Sequence, residues 1–439
     1  MFTSTHLLKQ RRFLPLFATQ LLNAFNDNVY KNAMVLFVVY TVYSSAEEET
    51  IFSGVASAVF ILPFFLFSAV AGQLADMRDK ARIIRFVKAA EIAIMIVGAG
   101  GLVLAWQGIS IDILALPLLM IALFAMGVHS TFMGPIKYSI LPQHLQKDEV
   151  LAGTGLVEAG TYVAIMGGTI LAGFIAVEVA AVLVILIALI GYFTSRQVPD
   201  APPMSDERDI DYNLMRASIT IVKKTMEQKE VFYAVLAISF FWTIGAVLFI
   251  QFPPLAKNVL MASKEVASLF LVIFSVGVAI GSVAINALLK GRVSARYAPA
   301  SVLMMGAMVA AFYFVCVKWN RTVTHESLMN VAEFLSHPLA WLVLLSLVLI
   351  AIFGGMFVVP LYAFLTTKVE KSQASRTVAA NNIVNAGAMV LGSLLALALS
   401  VLGIALTEQL LLSAAMCLVS AWLGQMLYKA EAPEPLPAE

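Results

Sequence analysis

Charge is scarce in this chain. Only 13% of its 439 residues are Asp, Glu, Lys or Arg, against 61% hydrophobic, whereas a soluble domain needs roughly a quarter charged residues to cover its surface. That deficit excludes a soluble globular protein. Cysteine is scarcer still, with only Cys316 and Cys417. Each lies inside an apolar block, at neither metal-ligand nor redox-motif spacing, and reads as a small core residue. Short alternating segments of the kind that build a β-barrel are missing as well. No cleavable signal peptide is expected, because the first apolar block runs well past the length of a leader and lacks a cleavage site.

What the chain does have is apolar blocks of the length that crosses a hydrocarbon core of ~30 Å. Lipid offers no hydrogen bonds to the backbone, so each block must close its own ladder as a helix. The expected fold class is an all-α polytopic membrane protein of twelve spans. They are placed near 13–42, 51–75, 83–106, 113–133, 150–173 and 178–195, then 231–255, 265–289, 297–318, 338–360, 374–401 and 404–428. The first six form a bundle over 1–196 and the last six another over 231–430. Between them, 197–230 is a polar linker in which Asn213 to Met226 has the pattern of an amphipathic surface helix. The tail, 431–439, is proline-rich and expected to be disordered.

Basic residues set the orientation. With the N-terminus inside, the inner segments hold Lys9, Arg11, Arg12, Arg78, Lys80, Arg82, Arg85, Lys290, Arg292, Arg296, Lys368, Lys371 and Arg376. The outer loops hold only Lys257, Lys264, Lys318 and Arg321, beside the acidic run Glu47, Glu48 and Glu49. Both termini are therefore expected to be cytoplasmic. The halves also echo one another: Val157-Glu158-Ala159-Gly160 on span five recurs as Val384-Asn385-Ala386-Gly387 on span eleven. Each follows an expected proline-bearing turn, at Gly134-Pro135 and Val359-Pro360. Such repetition is the mark of a transporter built from duplicated bundles.

Two segments carry the chemistry. Gly72, Asp76, Arg78, Lys80 and Arg82 link spans two and three. The glycine permits close helix approach, the carboxylate one turn later can cap a neighbouring helix, and the bases follow. As a gating element, this set would hold one conformation through contacts broken in the other. It resembles the loop signature of the major facilitator superfamily, with Arg78 displaced by one position and Asp79-Lys80 in place of a glycine.

On span one, Gln20, Asn23, Asp27, Tyr30 and Lys31 fall at i, i+3, i+7, i+10 and i+11, one polar stripe flanked by Asn26, Asn28 and Asn32. A mid-membrane carboxylate such as Asp27 needs compensation, and Lys31 one turn on is the expected partner. A stripe of amides and charges suits a zwitterionic or anionic headgroup. Lys137, Glu158 and Tyr162 extend the candidate site, Trp242 and Gln251 supply an opposite wall, and Asn381 and Asn385 mirror Glu158. Lys88 and Glu91 read as a structural pair snorkelling toward a basic loop, and His129 as a helix-packing residue.

The combination is similar to the lysophospholipid transporter (LplT) family of the major facilitator superfamily. The resemblance rests on Ala24-Phe25-Asn26-Asp27-Asn28 with Lys31, Gly72-Gln73-Leu74-Ala75-Asp76, Gly134-Pro135-Ile136-Lys137-Tyr138, Gly155-Leu156-Val157-Glu158 and Gly355 through Leu361. Asn26 and Lys31 resemble most the members fused to acyltransferase and acyl-ligase domains. The resemblance implies a lipid flippase of the bacterial inner membrane. It would move lysophosphatidylethanolamine and lysophosphatidylglycerol from the outer to the inner leaflet for re-acylation. It further implies a monomer with a functional link to a lysophospholipid acyltransferase, no catalytic residues, no metal or cofactor and no nucleic-acid partner. In that reading Asp27 and Glu158 meet the ethanolamine ammonium and Lys31 or Lys137 the phosphate. The rival reading is a proton-coupled carrier of a soluble metabolite or drug.

Overall fold

A computed structural model describes residues 4–42, 46–206, 209–323 and 327–431. The tail from Ala432 and the side chains of Glu47, Glu48 and Glu49 lie outside the described residues. Every regular element among the described residues is helical. In chain order the first are α1 (Leu14–Phe37), α2 (Ala46–Met77), α3 (Lys80–Trp106), α4 (Leu116–Ser139) and the short α5 (Leu141–His144). Next come α6 (Val150–Phe174), α7 (Val177–Ser195), α8 (Leu214–Met226), α9 (Lys229–Asn258) and α10 (Lys264–Leu289). The last are α11 (Ala298–Thr322), the short α12 (Val331–Ser336), α13 (Pro338–Thr367), α14 (Ala374–Val401) and α15 (Leu406–Ala430).

Eleven of these elements are long and apolar enough to cross a membrane. The twelfth long helix, α1, has the length at 24 residues but carries the polar stripe, which lowers its hydropathy without shortening it. Internal packing separates two compact units. One comprises Met1–Lys223 with Val369–Ala386, the other Lys224–Lys368 with Gly387–Glu439. α14 is divided between them at Ala386.

In the first unit, α1 packs on α6 and α7, α2 on α4, and α3 on α4 and α7. Close approach replaces hydrophobic attraction as the means of joining helices in lipid. Gly168 of α6 shows this: a Cβ there would stand 2.6 Å from the Phe25 carbonyl oxygen of α1. The polar segment after α7 docks along the same unit. Ala201 accepts from the Lys80 amide at 2.9 Å, and Gln73 Oε1 accepts from the Asp211 amide at 3.0 Å. Asn213 Oδ1 caps α8 by accepting from the Arg216 amide at 3.0 Å, while Ala217 and Ile221 pack against Ala69, Ala380 and Ile383. The Arg216 guanidinium, hydrogen-bonded to Asp211 through two nitrogens, holds that carboxyl down to about 2.

In the second unit, α10 and α11 pack on α13, and α15 on α9 and α11. Trp319 anchors the α11 end, its Nε1 donating to the Leu260 carbonyl at 3.1 Å and its ring lying against Phe334 and His337.

The expected proline turns are corrected by the structure. Pro135 lies inside α4 and Pro360 inside α13. Proline already has a helical φ and removes only one ladder donor, a gap that surrounding helices can tolerate within a membrane bundle.

A buried polar site on α1, α3, α4 and α6

The α1 stripe turns inward. Gln20, Asn23 and Asp27 are all buried. Asp27 Oδ2 accepts from Ser130 Oγ of α4 at 2.5 Å and from Asn23 Nδ2 at 3.3 Å. Its other oxygen, Oδ1, has no hydrogen-bond partner among the described residues, and neither do Gln20 Oε1 and Asn23 Oδ1. Lys31 does not pair with Asp27, contrary to expectation. Its Nζ lies over the Phe60 ring, 5.4 Å from the centroid, so the four-residue spacing brings the two onto one face without closing an ion pair. Tyr30 also leaves the stripe. Its hydroxyl donates to the Leu119 carbonyl at 3.0 Å and its ring fills the space above Gly98, in the apolar core. Asn28 bonds back to the Ala24 carbonyl of its own helix at 2.8 Å.

A second polar set adjoins the first. Glu91 of α3 is ion-paired with Lys88, accepts from Asn26 Nδ2 at 2.7 Å and lies 3.4 Å from His129 Nε2. His129 Nδ1 in turn faces Ser130 Oγ at 3.5 Å, which joins this set to Asp27. Lys88 and Glu91 have no exposed side-chain surface, so the expected snorkelling does not occur. Lys88 points into the unit instead, over Gly191 of α7, where a Cβ would sit 2.7 Å from its Cε. On the other side of the stripe, Gln20 Nε2 donates to the Lys137 carbonyl at 3.1 Å. Lys137 Nζ reaches buried Glu158 of α6 at 3.5 Å. Tyr162, one turn beyond Glu158, is buried as well.

The segment between α2 and α3 is organised around Asp76. Its carboxylate accepts from the Ser375 and Arg376 amides at 3.0 and 3.1 Å and so caps the start of α14. The Arg376 guanidinium adds a cation at 3.7 Å. Gly72 brings the two helices together, since a Cβ there would lie 2.6 Å from Ala379 Cβ. Lys80 is fully buried, whereas Arg78 and Arg82 are exposed. Farther along α14, Asn381 is buried with neither side-chain polar atom hydrogen-bonded among the described residues, and Asn385 is buried too.

Residues 16–331 match the family model of the Major Facilitator Superfamily. The chain belongs to that superfamily. It is a multi-pass membrane transporter. It is 25% identical over 356 residues to the lysophospholipid transporter LplT of Photorhabdus laumondii, covering 79% of this chain and 78% of the relative. It is also 24% identical over 384 residues to LplT of Yersinia pestis, covering 86% and 84%. In fold it is similar to a bacterial homologue of the iron transporter ferroportin in its outward-facing state, with TM-score 0.68, 13% identity and coverage of 96% and 99%. The E. coli fucose:proton symporter is similar too, with TM-score 0.64, 14% identity and coverage of 94% and 98%.

Within this superfamily member, the remaining candidates lie in the second unit. Trp242 Nε1 donates to Tyr362 Oη at 2.7 Å, and Gln251 Nε2 donates to Gln409 Oε1 at 2.9 Å. Among the described residues no group of three or more His, Cys, Asp or Glu could hold a metal ion. Sequence reasoning missed Ser130 and assigned His129, Lys88 and Glu91 to packing or snorkelling. The available signal was the adjacent polar pair His129-Ser130 in an otherwise apolar span, at a depth where a polar group needs a partner.

Proposed function

We propose that this transporter carries lysophospholipids, with lysophosphatidylethanolamine and lysophosphatidylglycerol as substrates. It would move them from the outer to the inner leaflet of a bacterial inner membrane, for re-acylation by a separate acyltransferase. The observation that carries the reading is the row of acceptor oxygens on α1. Gln20 Oε1, Asn23 Oδ1 and Asp27 Oδ1 are buried without hydrogen-bond partners. Buried acceptors in this state lose the free energy of their hydration unless a donor reaches them, and a substrate headgroup can supply one. An ammonium or a glycerol hydroxyl supplies that donor. Lys31, half-buried and without an ion-pair partner among the described residues, supplies a cation for the phosphate. Lys137 and Glu158 form a weak contact at 3.5 Å that a zwitterionic headgroup can insert into, phosphate to the lysine and ammonium to the carboxylate. The LplT relatives point to the same class of substrate.

The test is uptake of labelled lysophosphatidylethanolamine into spheroplasts with and without the protein, repeated with Asp27→Asn. Uptake should depend on the protein and fall at least ~10-fold in the variant at equal membrane yield, the loss of one charge-assisted contact. Lysolipid uptake indifferent to the protein, with competition by sugars, amino acids or drugs in its place, would support the proton-coupled carrier of a soluble solute.

A further inference from the structure

The first unit holds a second feature that the polar stripe does not use. A groove of about 1210 Å³ opens between α2, α3 and α4 and is roofed by the segment around Pro202 and Ser205. Its rim carries Arg78, Arg82, Asp79 and Asp206, and its walls include Ile83, Phe86, Ile94, Phe124 and Val128. Phe86 is 76% exposed, so the groove opens sideways from the bundle rather than into its interior. It ends at His129.

Length, charge and volume identify an occupant. From Arg82 to Ile94, α3 rises about 18 Å, and from Phe132 back to Phe124, the lining stretch of α4 spans about 12 Å. One leaflet of a ~30 Å hydrocarbon core has a comparable depth. The groove is therefore polar where a headgroup lies and apolar over the length of one leaflet's acyl chains. At the rim, neither Arg78 nor Arg82 is ion-paired among the described residues; Arg78 Nη1 donates only to the adjacent Met77 carbonyl at 3.1 Å. Asp79 turns one oxygen, Oδ1, to the backbone, accepting from the Arg82 and Ala201 amides at 3.1 and 3.4 Å. Two unpaired guanidinium groups recognise a phosphodiester, and exposed Asp206 can accept from headgroup hydroxyls. The volume exceeds the ~300–1,000 Å³ of pockets for compact ligands, which favours two acyl chains over one.

We propose that this groove binds one diacyl anionic phospholipid with a hydroxyl-bearing headgroup, drawn from the leaflet at whose surface Arg78 and Arg82 sit. The site is separate from the α1 stripe, and occupancy does not depend on what the carrier transports. Bound there, the lipid braces α2 against α3 beside Asp76.

The full-length protein, delipidated in detergent and titrated with phosphatidylglycerol or phosphatidylcholine, is read by native mass spectrometry. Phosphatidylglycerol should be retained in preference. The double variant Arg78→Gln with Arg82→Gln should lower its retention about tenfold, as expected for lost guanidinium–phosphate contacts. Ala90→Trp, which fills the apolar wall, should lower retention of any diacyl lipid, and the two exposed arginines supply the readout should the tryptophan variant not fold. Equal retention of the two lipids by the unaltered protein, or undiminished phosphatidylglycerol on the glutamine variant, would overturn the proposal. So would displacement by lysophosphatidylglycerol at equal concentration, which would make the groove part of the substrate path.

Discussion

Glu91 sits among Lys88, His129 and Asn26 with none of the two ion-paired side chains exposed. Ionised groups in such a place are tolerated only while the set is complete, because each charge has lost its hydration and depends on its neighbours. Lys88→Met should therefore destabilise the protein by ~3–5 kcal/mol, the cost of leaving a partner charge buried. Adding Glu91→Gln to that variant should recover much of the loss, since the amide keeps the Asn26 contact and removes the stranded charge. Thermal unfolding of the purified variants in one detergent checks both statements; equal melting temperatures for Lys88→Met and the unaltered protein would mean that the pair contributes nothing. The i, i+3 spacing of Lys88 and Glu91 was legible in the sequence. Their direction was not, because the same spacing serves a lipid-facing pair that snorkels and an inward-facing pair that is sealed.

Helix termini carry the next level of organisation. The start of α14 has unsatisfied amides, and Asp76 from α2 satisfies two of them with a full negative charge at the positive end of the helix dipole. Asp76→Asn keeps an acceptor and removes the charge, so the cap should weaken without vanishing, by ~0.3–1 kcal/mol. Ser375 is fully buried here, its hydroxyl against Ser139 at 2.8 Å. A Ser375→Cys reporter should then react with maleimide roughly two- to fivefold faster in the Asp76→Asn background, the same free energy expressed as a rate. Both native cysteines are buried, which keeps the background low. An unchanged rate would reduce the α2–α3 segment to a topological connection, with no part in holding a conformation. Gly72 and Asp76 were readable as an approach-and-cap pair from their spacing. Which helix they meet was not, since Ser375 lies some 300 positions away and only the packed unit brings it near.

Across the whole molecule, the asymmetry of Lys and Arg predicts an orientation that no single helix could specify. With both ends on the basic side, a green fluorescent reporter fused after Glu431 should fluoresce, and an alkaline phosphatase at the same position should stay inactive. The opposite pair of readings would invert the topology. Glu431 suits this test because its carboxylate accepts from Ser294 Oγ and the Ala295 amide, both at 3.0 Å, so the junction is held beside the α10–α11 connection.

What the sequence determined by itself was the helical class, the apolar span-length helices and the shared face of Gln20, Asn23 and Asp27 on α1. These follow from local rules: span length against bilayer thickness, and side-chain period along one helix. The tertiary structure decided the partners. It gave Asp27 to Ser130 rather than Lys31, moved Tyr30 into the apolar core, sealed Lys88 with Glu91 and His129, and divided α14 between two packed units. Periodicity states which residues share a face of a helix; which neighbour that face meets depends on the packing of helices distant in the chain.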